Sequence, residues 1–134
     1  MKELLRKSNQ SIQAAELLIY KGYYASSVHC SYYGVYQTMA YILQHILQDR
    51  DSKLWGDPAG SHDRAIGRIS EAAIGRDWKK GRNLSNYIGI LKNNRVTADY
   101  KDKVVDETFS KEAYKSAGMI LVTLNEIFQI QTNP

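Results

Sequence analysis

The chain has 134 residues and a formal net charge of +4, a length that suits one domain and needs no disulfide or metal staple to bury a core. Its hydrophobic share of 43% and charged share of 24% are ordinary for a soluble globular domain. No apolar run approaches the roughly 20 residues of a membrane span. MKELLRKSNQSIQ at the start lacks the apolar core of a signal peptide, and the single cysteine, Cys30, forms no internal disulfide, which fits a reducing cytoplasm. An isoelectric point near 9.1 is compatible with a polyanionic partner without demanding one.

Five segments carry helical periodicity. The first spans about Lys2 to Tyr20, with Leu5, Ser8, Ile12, Ala15 and Ile19 on one stripe. Gly22, in YKGYY, supplies a stop. The second spans about Ala25 to Gln48 and carries two adjacent stripes. One is Ala25, Val28, Tyr32, Val35, Met39, Ile42 and Ile46, and the other is His29, Tyr33, Tyr36, Ala40, Leu43 and Leu47. So wide an apolar face predicts a central helix.

QDRDSKLWGDPAG reads as a loop, from its Asp-Pro, its glycines and its polarity. A third helix starts at Ser61 or Asp63 and reaches about Arg76. RDWKKGRN reads as a polar break, and a fourth helix covers about Leu84 to Thr97. DYKDKVVDETF reads as a second polar loop. Ser110 is the expected N-cap of the last helix, whose inner face is Ala113, Ala117, Ile120, Leu124 and Ile127. Period-two alternation is nowhere sustained, so the expectation is an all-α, up-and-down bundle of about five helices in a single domain over residues 1–134.

The fourth helix holds the main anomaly. Leu84, Ile88, Leu91 and Arg95 follow one four-three-four face, so Arg95 points where core or interface belongs. Asp99 lies four residues on, in the weaker orientation of an ion pair. Tyr100, five residues on and about 140° around a helix, reaches the same place only if the chain turns after Ala98. Two readings stand. Arg95 closes the helix C-terminus with Asp99, or it forms a cationic pocket for a phosphate, to which Asn93 and Asn94 add amide donors.

Seven of the ten tyrosines fall between Tyr20 and Tyr41, and most read as core. Ser27, Ser31, Gly34 and Thr38 allow close helix approach, either to the first helix or to a second copy of the chain. His29, on an apolar stripe, reads as a satisfied core histidine; His62 opens a helix after a loop and reads as exposed; His45 reads as solvated. Cys30 reads as a small buried filler. RDWKKGR is either a solvated loop or a phosphate-contacting patch. No metal-ligand spacing, phosphate-binding glycine loop or nucleophile elbow is present, so no cofactor and no metal are expected.

Three stretches together resemble the HEPN family. AAELLIYKGYYASSVHCSYYGVYQTMAYIL is similar to its first two helices, SHDRAIGRI to the histidine-led third helix of one branch, and RVTADY to the Arg-x-x-Ala-Asp-Tyr signature of that branch. The resemblance runs from about Lys2 to Phe128. It implies a helical bundle that dimerises. In the family's nucleases an arginine is followed four to six residues later by a histidine, and two such motifs form a metal-independent ribonuclease site at the dimer cleft. Members often act in toxin–antitoxin or phage-defence systems beside a small nucleotidyltransferase. The arginine carries over to Arg95, whereas the histidine's window holds Asp99, Tyr100 and Lys101. Tyrosine, with a pKa near 10, is a poor general base at neutral pH.

The resemblance therefore implies a cytoplasmic homodimer that interacts with RNA or a nucleotide through a degenerate ribonuclease motif, with no membrane association. Arg95 and Tyr100 are its candidate catalytic residues, and Asn94, Asp99 and His62 line the cleft. The partner it implies is a small nucleotidyltransferase antitoxin. One alternative is an active endoribonuclease toxin in which Tyr100 or His62 handles protons. Another is a non-enzymatic helical adaptor.

Overall fold

The computed structural model describes residues 2–49 and 60–130, and over them the chain forms five α-helices and no strand. They are α1 (Glu3–Tyr20), α2 (Tyr24–Tyr41), α3 (Ser61–Arg76), α4 (Trp78–Tyr100) and α5 (Glu107–Phe128). A π-helical turn, Ile42–Ile46, extends α2 to nearly the expected length, and Leu47 N donates to Ile42 O at 2.9 Å. Most of the loop expected at QDRDSKLWGDPAG, with Pro58, lies outside the described residues.

α1 ends in a Schellman motif. Gly22 takes φ +82°, Gly22 N donates to Ile19 O and Tyr23 N donates to Leu18 O. α2 is the central helix. Val28, Tyr32, Val35, Met39, Ile42 and Leu43 are fully buried, and α2 packs on each of the other four helices.

The small-residue face of α2 packs within the chain. Ser27 Oγ donates to Ala15 O at 2.7 Å, Ser8 Oγ donates to Gly34 O at 2.6 Å, and Thr38 Oγ1 donates to Ser8 Oγ at 2.8 Å. A Cβ on Gly34 would lie 2.5 Å from Ile12 Cδ1. This face is filled by α1 and is no seam for a second copy.

Two expected boundaries are corrected. RDWKKGRN is no loop: Asp77 alone separates α3 from α4, and its extended backbone lets its side chain accept from Lys80 N at 3.1 Å as an N-cap. The polarity that suggested a break is the exposed face of α4's first turns. Arg82 lies 5.2 Å over the Trp78 ring, Arg76 lies 5.1 Å over Phe128, and Lys80 pairs with Glu126 at 3.8 Å. Ser110 is likewise not the cap of α5. Asp106 is, accepting from Phe109 N at 2.8 Å, while Ser110 is buried and donates to Glu107 O. The inner face expected for α5 is buried throughout. Of the tyrosines read as core, Tyr32 is buried but Tyr20 and Tyr23 are exposed.

Among the described residues no helix is long and apolar enough to cross a membrane.

Candidate functional site

The inner stripe of α4 runs Leu84, Ile88 and Leu91, all buried, and continues to Arg95, which is only 8% exposed. Its guanidinium carbon lies 5.0 Å from the Tyr32 ring, 5.7 Å from Tyr33 and 5.8 Å from Tyr100. Rings at that range attract a cation through their negative faces. One carboxylate is near, with Asp99 Oδ2 3.6 Å from Arg95 Nη1. Arg95 Nε is buried and has no hydrogen-bond partner. Burial of a charge with so little compensation is costly.

The same Asp99 Oδ2 lies 2.8 Å from His29 Nδ1. The core reading of His29 is thus overturned: its side chain is 46% exposed, and it reaches across from α2 to α4. The ring tilts against Tyr33 with centroids 4.6 Å apart. Nothing in the sequence pairs residues 70 positions apart, so only the packing of α2 on α4 reveals the contact.

His62, in the first turn of α3, is half-buried rather than exposed. Its ring stacks on Tyr36 at 4.1 Å and 11°, and its Nδ1 lies 2.7 Å from the Tyr32 hydroxyl. Burial, followed by the charges of Arg95 and Lys92, lowers its pKa, against a smaller opposing effect of Asp63. The Tyr32 phenol is raised, above all by burial, with Arg95 pulling the other way. Both groups are therefore neutral near pH 7. The phenol O–H donates to His62 Nδ1, which leaves the imidazole proton on Nε2. Lys92 on α4 pairs with Asp63 on α3 beside this contact.

Tyr100 reaches Arg95 without the turn that seemed necessary. α4 stays helical through Tyr100, and the length of the two side chains closes the angular gap. Tyr100 itself is 75% exposed. Asn94 is half-buried on the flank of α4, with no hydrogen bond to the cluster. Arg95, Asp99, Tyr100 and His62 are thus brought together and Asn94 is not. The sequence pattern missed His29 and the structural use of Tyr32, Tyr33 and Tyr36.

Cys30 is half-buried, short of the full burial expected, and burial followed by the Asp99 charge raises its thiol pKa. Both effects disfavour the thiolate, the reactive form. Among the described residues no group of histidine, cysteine and carboxylate side chains is placed to hold a metal ion. A separate concavity of about 620 Å3 between α1, α2 and α5, lined by Leu5, Ile12, Thr38, Leu121 and Ile130 among others, contains none of the clustered groups.

The cluster joins a buried cation, an aromatic cage, one shared carboxylate and a half-open imidazole. Such a set can attract an anion, donate hydrogen bonds and move a proton. Compared with protein-family models, curated proteins and solved structures, the chain matches none.

Proposed function

We propose that the chain is a HEPN-like domain whose Arg95–Asp99–Tyr100 cleft binds the phosphates of RNA or of a nucleotide. The single observation behind this reading is Arg95, an arginine on an apolar stripe, 8% exposed and with a buried, unpartnered Nε. A guanidinium there is a poor choice for stability alone and a good one for holding a phosphate. The Arg-Val-Thr-Ala-Asp-Tyr stretch supports the same reading through its resemblance to the family signature. On that resemblance the protein acts in the cytoplasm as a homodimer, within a toxin–antitoxin or defence-type system beside a small nucleotidyltransferase.

Fluorescence anisotropy with a labelled RNA oligonucleotide and with a labelled nucleotide tests the reading. Wild type binds at least one, and Arg95→Ala weakens binding at least about tenfold with its helical circular dichroism intact. Equal affinity in the two proteins would sink it. Sedimentation tests the dimer, and a strict monomer excludes a cleft shared between copies.

A second reading, a helical adaptor, draws support from Tyr87, Ile90, Met119 and Val122, exposed apolar side chains on α4 and α5. It is favoured if no RNA or nucleotide binds and if Ile90→Glu abolishes capture of a protein partner.

A further inference from the structure

α1 and α5 run antiparallel and are joined near one end, where the Tyr114 hydroxyl donates to Glu16 Oε2 at 2.8 Å. Toward the other end α1 stays fastened to α2 through Ser8 and Thr38, and the space left against α5 is the concavity of about 620 Å3. Protein interiors hold few voids larger than a water molecule, and small-molecule sites run from about 300 to 1,000 Å3. We propose that this concavity binds a medium-length straight-chain carboxylate, an anionic amphiphile with one acyl tail. The inference is independent of the phosphate-binding reading above and concerns another face of α2.

The wall is apolar where the tail lies. Leu5 and Ile12 on α1 and Leu121 on α5 line the space and are only half-buried, and Ile130 closes one side. The polar groups of the floor are already spent. Thr38 Oγ1 donates to Ser8 Oγ at 2.8 Å and Ser8 Oγ donates to Gly34 O at 2.6 Å, so neither hydroxyl has a proton left for a ligand. Such a surface suits a methylene chain. It offers little to a sugar or a nucleobase, whose polar groups would be buried without partners.

The rim has the opposite character. The described residues that line the concavity include the cations Lys2 and Arg6 and the amides Asn9 and Asn125, and no acid. Arg6 does pair with Glu3, but both side chains are mostly exposed, and an exposed pair is worth little. The guanidinium is therefore at liberty to turn to a ligand carboxylate, which it can hold through two parallel donors. A cationic rim over an apolar slot selects an anion with a tail. A cationic head meets like charge, and a neutral head leaves the cations unused.

Isothermal titration calorimetry of the untagged full chain with decanoate, kept below the concentration at which it forms micelles, tests the site. One saturable site per chain is expected. Octanoate binds more weakly and dodecanoate more tightly, by about two- to fourfold per methylene. Decanol and decyltrimethylammonium bind at least about tenfold more weakly than decanoate. Leu121→Trp and Leu5→Trp fill the slot from its two sides, and each weakens decanoate at least about tenfold with helical circular dichroism intact. Replacing Lys2 and Arg6 together by glutamate weakens decanoate and leaves decanol unchanged, which separates the rim from the wall. Absence of binding, uptake of several molecules per chain, or unchanged affinity in both tryptophan variants overturns the site. Equal affinity for decyltrimethylammonium overturns the assignment of an anionic ligand.

Discussion

Asp99 holds His29 and Arg95 through one and the same oxygen, Oδ2, at 2.8 Å and 3.6 Å. It thereby ties α2 to α4 and, among the described residues, serves as the only carboxylate paired with a buried guanidinium. Asp99→Asn should cost about 1–3 kcal/mol, since it leaves Arg95 without its charge partner. His29→Gln removes only the half-exposed end of the same link and should cost less than about 1 kcal/mol. Urea denaturation of the two variants checks the order. A larger loss in His29→Gln would mean that the histidine, not Arg95, depends on the carboxylate.

Arg95 itself should separate stability from binding. Arg95→Met removes the charge yet keeps an unbranched chain between Tyr32 and Tyr33, so stability should change by less than about 2 kcal/mol in either direction. RNA or nucleotide binding should fall at least about tenfold. Arg95→Lys should restore little of it, because an ammonium lacks the planar fork of donors. Thermal melts and anisotropy on the same preparations measure both effects.

His62 makes stability depend on pH. Its folded pKa lies below the ordinary 6.5, chiefly through burial. As pH falls below that value the unfolded chain takes up the proton first, so the folded state loses ground until the folded pKa is passed. The stabilising contribution is present above about pH 6.5 and is lost on the acid side. The melting temperature should therefore drop on acidification, and the drop should be smaller in His62→Gln. An equal drop in both would assign the effect to another group.

The glycines divide by what surrounds them. Gly22 has open space around it but takes φ +82°, so Gly22→Ala should cost about 1 kcal/mol through the backbone alone. At Gly81 a Cβ would meet Ile74 N at 2.5 Å, backbone that cannot swing aside, and Gly81→Ala should cost about 1–3 kcal/mol. Gly67, inside α3 with nothing within 4 Å, should gain about 0.5–1 kcal/mol as alanine. Three chemical denaturation curves decide the ranking.

The helices were legible because each writes its buried face at a fixed period, and the stripes of α2 and α5 are buried much as spacing implied. The α3–α4 junction was not, because a one-residue hinge with an aspartate cap has the composition of a loop. The site was half legible. Arg95 breaks its own stripe, and Asp99 and Tyr100 follow within a turn or so. His29 interrupts nothing: it sits beside apolar neighbours and finds its partner across the bundle. His62 was visible as a residue but not as a ring stacked on Tyr36, which depends on how α3 lies against α2.

The single residue between α3 and α4 gives chain length a meaning for the cleft. His62 lies near the start of one helix and Arg95 near the end of the next, with Asp77 the only break between them. Their meeting is thus set by counting residues back and forth along two rods with no slack at the fold. Removing one residue from α3 would swing His62 by about 100° and draw it along by about 1.5 Å, parting it from Tyr32 while every helix could still form. In this hairpin the numbers of residues carry as much of the cleft as their identities do, and a change of length would scramble it where a change of side chain would only weaken it.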